Sequence, residues 1–412
     1  MLIQFNFKNY KSFKDQVSLD MTATSIQEHP YNLLENTKGE KYLKVAAIYG
    51  ANASGKSNLI DAFYFMRFFV LNSLAKSNED SNIPVKPFLF DKFSRNDKSE
   101  FEVFFTFKDK EYQYGFTVDQ KKVYEEWLYK RDFRGKNNYK TLFERSAASI
   151  RCDNSFKEAK IYTPGVNDKT LFLSLLSTLN IREAKDIYDW FYNALVLDYG
   201  DALIESYISR LLPAEKINDE AYLNDFQEFL KNIDINIDGI RIEKAKKAAD
   251  TNEKEVYRVY SRHKMQDGSE VEIPFSEESG GTQKMFCVYS FLMRCLQNGS
   301  TLFIDELDAK LHPLLLRYII STYHNPKINT KGAQLIYSAH DSYTLSRETF
   351  RRDQIWFTDK NSDGVSTLYS LAEYKLDNDK KVRNDATYYK DYLSGRYGAI
   401  PVFREFSVRE DE

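Results

Sequence analysis

Gly50-Ala51-Asn52-Ala53-Ser54-Gly55-Lys56-Ser57 spells a glycine, four residues, then Gly-Lys-Ser. A short apolar run, 44–49, leads into it, and a helical pattern over about 56–74 leads out. Strand, glycine-bearing turn and helix in this order are the context of a phosphate-binding loop. The glycines let backbone N–H groups point inward, and the helix start adds a dipole that favours negative charge. Lys56 is placed to reach the outer phosphates of a nucleotide and Ser57 to hold Mg²⁺, with Asn58 beside them on the first helical turn. A chance match in a loop would lack the flanking strand and helix.

Further along, Thr301-Leu-Phe-Ile-Asp305-Glu306 is a strand that ends in two carboxylates. Behind a phosphate loop, that pair reads as Asp305 for the Mg²⁺ shell and Glu306 to polarise an attacking water. Leu335-Ile-Tyr-Ser338-Ala-His340 is a second strand, ending in histidine. One helix separates the two strands, so a parallel βαβ unit would bring Glu306 and His340 together. A lone histidine is usually structural; here a phosphate-facing role is the better reading. Between these landmarks lies Glu278-Ser279-Gly280-Gly281-Thr282-Gln283 at a helix start. Its plain reading is an N-cap by Ser279. Its sharper reading is a second anion site. One loop needs only one nucleotide, so Ser279, Gly280 and Gly281 would then serve the nucleotide of a second copy.

Bulk properties narrow the partners. The 412 residues carry net charge −3, so no whole-surface field draws in nucleic acid. Local basic clusters, Lys244/Lys246/Lys247 and Arg347/Arg351/Arg352, read as solvated faces. The 16 Gly and 9 Pro are too few for a disordered chain. The odd cysteine count, with Cys152, Cys287 and Cys295 at spacings unlike a metal motif, fits a reducing, cytoplasmic setting. The most apolar window, 63–74, contains Arg67 and is too short to span a bilayer, so no membrane is expected.

The expected fold class is α/β: an ATPase head with a β-meander insertion and a helical insertion. Strand-like runs at 101–107, 112–118 and 122–129 form the meander. Apolar residues at helical spacing follow over about 168–233. The expected units are 1–165, an N-terminal lobe with the phosphate loop and β insertion; 166–235, the helical insertion; and 236–412, a C-terminal lobe. No heptads are sustained over three or four repeats, so no coiled-coil arm is expected.

The order of phosphate loop, Ser-Gly-Gly, Asp-Glu and His resembles the ABC ATPase superfamily, whose Walker A, signature, Walker B and switch histidine these would be. Asp308 matches the superfamily's D-loop aspartate. The opening Phe7-Lys-Asn-Tyr-Lys-Ser-Phe looks like the first strand of SMC/RecF-like ATPases, which implies Asn9, Lys11 and Ser12 as contacts to adenine and ribose. The C-terminal stretch Tyr392-Leu-Ser-Gly-Arg-Tyr-Gly-Ala-Ile-Pro401 resembles bacterial AAA15 ATPases of the RloA/AbiL abortive-infection type, related to PARIS and OLD-family defence ATPases.

The resemblance implies ATP and Mg²⁺ as cofactors, ATP hydrolysis, and head-to-tail pairing with a second copy, with higher oligomers open. It also implies a sensor role in anti-phage defence: a phage-derived trigger, and a separate nuclease or Toprim-like effector under its control. The segment after His340 is short for a nuclease domain, and Asp377, Asp379 and Asp385 look solvated. A DNA-repair or maintenance ATPase, with DNA as partner, is the alternative. A transporter ATPase subunit fits the β meander and C-terminal stretch poorly. Tyr388, Tyr389 and Tyr392 are either a docking surface or core.

Overall fold

The computed structural model describes residues 1–75, 82–133, 138–198, 220–232, 237–244, 257–375, 382–383 and 386–401. Lys246, Lys247, Asp377, Asp379 and Asp385 lie outside the described residues. In chain order the strands are β1 (Leu2–Lys8), β2 (Val17–Asp20), β3 (Leu33–Glu35), β4 (Lys41–Leu43), β5 (Val45–Tyr49), β6 (Ser99–Phe107), β7 (Lys110–Val118), β8 (Val123–Asp132), β9 (Lys140–Arg145), β10 (Ile150–Cys152), β11 (Leu195–Asp198), β12 (Gly239–Lys244), β13 (Tyr257–Lys264), β14 (Glu270–Pro274), β15 (Thr301–Asp305), β16 (Gln334–Ser338), β17 (Ile355–Lys360) and β18 (Ser366–Ser370). The helices are α1 (Lys56–Asn72), α2 (Lys157–Lys160), α3 (Phe172–Thr178), α4 (Arg182–Asn193), α5 (Glu220–Asn232), α6 (Gly280–Asn298), α7 (Pro313–His324) and α8 (Tyr388–Leu393).

Two large sheets carry the molecule. The central one runs β11-β15-β16-β5-β17-β18. Its first five strands are parallel, and β18 closes the edge as an antiparallel hairpin with β17. All five residues of β5 are buried, as a strand covered on both faces requires. Alternation along β5 assigns the two faces. Ala46 and Ile48 join one core, with α1, α3 and α4, while Val45, Ala47 and Tyr49 join the other, with α6, α7 and α8.

The second sheet is antiparallel throughout, in the order β10-β9-β8-β7-β6-β1-β2. The meander read from 101–129 is therefore an extension of the sheet begun by β1 and β2. Helix α1 is buried between the two sheets: Phe63 stacks on Phe303 of β15 at 4.1 Å and meets Phe5 of β1 edge-on at 5.3 Å. This explains why 63–74 is so apolar without being a membrane segment. Among the described residues no helix is long and apolar enough to cross a membrane. Gln334, fully buried on β16, bonds to Leu2 on both its N–H and its carbonyl and also to Leu43 O, which locks β1 to the central sheet.

One surface reading changes and one open reading is decided. Arg351 belongs to no solvated basic face: it is 0% exposed, paired with Asp353 at 2.7 Å, and donates to the Ile26, Glu28 and Thr24 carbonyls. Five N–H donors in a fixed fork suit a cluster of inward-facing carbonyls. Tyr388 and Tyr392 are core, with Tyr392 stacked on Phe357 at 5.3 Å; Tyr389 is exposed. The three cysteines are free, and Cys287 and Cys295 are buried on α6.

Candidate nucleotide site

The 50–57 turn leaves β5 and enters α1 with a backbone that needs glycine at two places. Gly50 has φ +154°, and an added Cβ would fall 2.4 Å from the Thr358 carbonyl oxygen. Gly55 has φ +123° and would meet the Ser366 side chain at 2.7 Å. Both positions lie in the region that L side chains rarely adopt. Lys56, 4% exposed, curls back so that Nζ donates to Gly50 O (2.8 Å) and Ala51 O (3.1 Å). Burial pushes its ammonium pKa down, and the nearby Asp305, Asp308 and Glu306 oppose that shift. Three carboxylates thus favour the charged form a phosphate ligand needs.

The turn is braced from behind by a chain of small side chains. Asn58 Nδ2 donates to Ser12 Oγ (2.7 Å), Ser12 Oγ meets Ser366 Oγ (2.8 Å), and Ser366 Oγ reaches Ser54 O (2.6 Å). Ser54 Oγ pairs with Thr358 Oγ1 at 2.6 Å. Hydrogen bonds in series polarise one another, so the brace is stiffer than its separate bonds.

Parallel pairing of β15 with β16 sets the opposite wall. Ser338 Oγ bonds to the Asp305 carboxylate, and the Glu306 N–H donates to the same oxygen (2.8 Å). Glu306 turns away at φ +51°, a left-handed conformation that costs a non-glycine residue about 1 kcal/mol. The turn delivers its carboxylate to within 3.6 Å of His340 Nε2. Asp308 does not reach the cavity. Its Oδ2 accepts the N–H groups of His340 (2.8 Å) and Asp341 (2.7 Å), which ties the turn after β15 to the turn after β16.

These elements enclose an open cavity of about 470 Å³ lined by Asn52, Ala53, Gly55, Lys56, Ser57, Asn58, Glu306, His340 and Lys360. Gly50, Ala51 and Ser54 form the buried or backbone side of the same turn. Asp305, 4% exposed, lies behind the wall.

Lys360, at the end of β17, has no motif around it and was not legible from sequence; only its place on the strand beside β5 could have suggested it. Ser279, Gly280 and Gly281 are not brought to this cavity. Ser279 caps α6 by accepting the Thr282 N–H (3.1 Å), and Ser279 and Gly280 are exposed. Gly281 packs so closely that an added Cβ would sit 2.9 Å from Lys310 O.

The N-terminal turn departs from expectation. Asn9 is 2% exposed; its amide donates to the Ser94, Asp97 and Lys98 carbonyls and accepts the Phe88 N–H. Every polar atom of that side chain is used inside the protein, so none is left for a base or ribose. Ser12 is consumed by the brace behind the loop. Lys11 pairs with Asp61 at 2.6 Å and does not line the cavity.

The residues present fit a magnesium nucleotide. Gly50 and Gly55 let the turn lie flat against Thr358 and Ser366, where a Cβ would collide, and Ser57 puts a hydroxyl on the cavity wall with the Asp305 carboxylate buried behind it. Among the described residues no group of three or more His, Cys, Asp and Glu could hold a metal alone. Mg²⁺ is satisfied with one or two protein oxygens plus phosphates and waters.

Residues 45–346 match the model of the family described as "AAA domain, putative AbiEii toxin, Type IV TA system". That span is well over half of the chain, and the chain belongs to this family of AAA-type P-loop ATPases. No curated protein matches it. Among solved structures it is similar to the recombination mediator protein RecF bound to ATP. The TM-score is 0.34 and the identity 13%, over 90% of this chain and 99% of that one. A second RecF structure, titled as the ATPrS complex, gives 0.33 and 14% over 89% and 98%. At these scores the likeness is too distant to speak to function.

Proposed function

We propose that this member of the AAA-domain family binds ATP with Mg²⁺ at the 50–57 turn and hydrolyses it when two copies pair head to tail. The observation that carries the reading is the convergence of Lys56, Ser57, Glu306 and His340 on one cavity while Ser279 and Gly280 stay exposed outside it. Lys56 and the loop N–H groups hold the phosphates. Ser57 and Asp305 would hold the Mg²⁺ shell, and the ion would supply positive charge against the phosphates. Glu306 orients the attacking water, and His340, 3.6 Å away, senses or steadies the terminal phosphate. Ser279, Gly280 and Gly281 of the second copy close the site with the bare N–H groups of a helix start.

The ATPase then acts as sensor and scaffold of a bacterial anti-phage, abortive-infection system in the cytoplasm. It is of the AAA15, RloA/AbiL type, with kinship to PARIS and OLD-family ATPases. A phage-derived trigger changes its ATP state, and that state holds or releases a nuclease or Toprim-like effector. Support comes from the family description, which names a toxin of a Type IV TA system, and from the C-terminal resemblance.

The test is Glu306→Gln. Turnover should fall on the order of 10²- to 10⁴-fold, with nucleotide affinity retained and an ATP-dependent dimer seen by sedimentation. Purified from its own cells with ATP, this variant should bring down a nuclease or Toprim-like protein. Recovery of DNA with repair proteins would replace the defence reading with the maintenance one. Wild-type turnover would refute the role given to Glu306.

A further inference from the structure

Lys284 stands about one and a half turns into the helix that Ser279 caps. It is 2% exposed, in a protein whose lysines are mostly at the surface. Its ammonium donates to three backbone carbonyls of one turn: Glu306 O at 2.8 Å, Leu307 O at 3.0 Å and Ala309 O at 2.7 Å. An ammonium has three donors and no acceptor, so a tripod of carbonyls suits it. Without it, these inward-facing oxygens would lose a charge-assisted partner.

The turn so held is under strain. Glu306 at φ +51° and Lys310 at φ +61° both occupy the left-handed region. Such residues persist where the surroundings over-determine them. Here Lys284 holds the turn from the α6 side and Ser338 from the β16 side. Asp308, inside the same turn, carries the His340 and Asp341 N–H groups. A continuous path of hydrogen bonds therefore runs from α6 through Lys284 to the turn that bears Glu306, and through Asp308 to His340.

We propose that Lys284 is a positioning residue that couples the Ser279–Gly280–Gly281 end of each copy to the Glu306 and His340 of that same copy. The proposal rests on the paired-ATPase reading above. When the helix start of one copy seats on the nucleotide of the other, α6 settles, and Lys284 sets the Glu306 turn of its own cavity. Occupation of one composite site thereby readies the other, and turnover is cooperative in ATP.

Steady-state turnover is measured across ATP concentration for the wild type and Lys284→Met, a side chain of similar length with no donors. ATP-dependent pairing is followed by sedimentation in a Glu306→Gln background with and without Lys284→Met. The wild type should give a Hill coefficient approaching two, one per coupled site. Lys284→Met should lose on the order of 10- to 100-fold in kcat, as a slightly misplaced group does. Its Hill coefficient should fall to about one, and its KM and ATP-dependent pairing should stay within about two-fold of their references. A merely structural lysine would lower thermal stability and leave kcat and the Hill coefficient of the folded fraction unchanged; that result overturns the coupling while the ATPase reading stands. Absence of ATP-dependent pairing in Glu306→Gln itself overturns the paired reading and the coupling with it. Should Lys284→Met not fold, Lys284→Arg replaces the tripod by a planar fork. It should keep KM and lose about 10-fold in kcat; wild-type kcat and cooperativity in that variant overturn the proposal.

Discussion

The 50–57 turn is anchored between buried strands and braced by a file of side chains from Asn58 to Ser54, while the turn at 279–283 exposes Ser279 and Gly280 and is held by the Ser279 cap and by the Gln283 amide on the Ser276 and Glu278 carbonyls. Both leave bare N–H groups at a helix start, the local geometry that favours an anion. They differ in what surrounds the N–H groups. Around the first, Lys56, Ser57, Glu306 and His340 already converge. Around the second, the Lys310 side chain and carbonyl lie against the two glycines. A turn braced on all but one side is built to hold a ligand through many cycles. An exposed turn without such a convergence acts where another surface supplies the missing groups.

The largest effect should come from breaking the braced turn's one charge. Lys56→Ala removes the ammonium while leaving the glycines and the brace in place. Nucleotide affinity should fall by about 100-fold or more, the scale of losing one partner of a buried charged pair. Equilibrium binding of a fluorescent ATP analogue decides this, and unchanged affinity would refute the phosphate-loop assignment.

Gly280→Arg tests the other turn. An added Cβ there would stand 3.4 Å from Lys310 Cδ, the flexible part of a side chain, so the fold should accommodate it. Nucleotide affinity of the single chain should stay within about two-fold, while turnover and ATP-dependent pairing fall by about 100-fold. A Gly280→Arg chain that turns over ATP normally would leave 279–283 as an ordinary helix cap.

Legibility from sequence followed how local each feature is. The 50–57 pattern and the Asp305-Glu306 strand end are written in contiguous residues. The meeting of Glu306 with His340 followed from two strands with one helix between them. What failed depended on distant partners. Asn9 looked available until segment 88–98 closed around its amide, and Ser12 until Ser366 arrived from the far end of the chain. Arg351 counted as surface charge because nothing nearby in sequence shows that the carbonyls of 24–28 fold over it. Lys360 sits in no motif at all. It enters the cavity because β17 pairs with β5, and pairing order is a property of the whole sheet.

The smallest effect probes the brace itself. Ser366→Ala removes one hydroxyl, and with it the contacts to Ser12 Oγ and Ser54 O; the backbone bond from Ser366 N to Ser12 O (2.7 Å) remains. Loss of a buried hydroxyl pairing costs about 1–2 kcal/mol. Thermal or urea unfolding should register that. If the brace matters to the ligand and not only to the fold, ATP affinity should also weaken, by roughly three- to ten-fold, because the loop would then have to be ordered on binding. Stability lost with affinity unchanged would mean that the glycine backbone alone holds the turn. Affinity lost together with stability would mean that a hydroxyl more than 300 positions away in the chain is part of the phosphate loop.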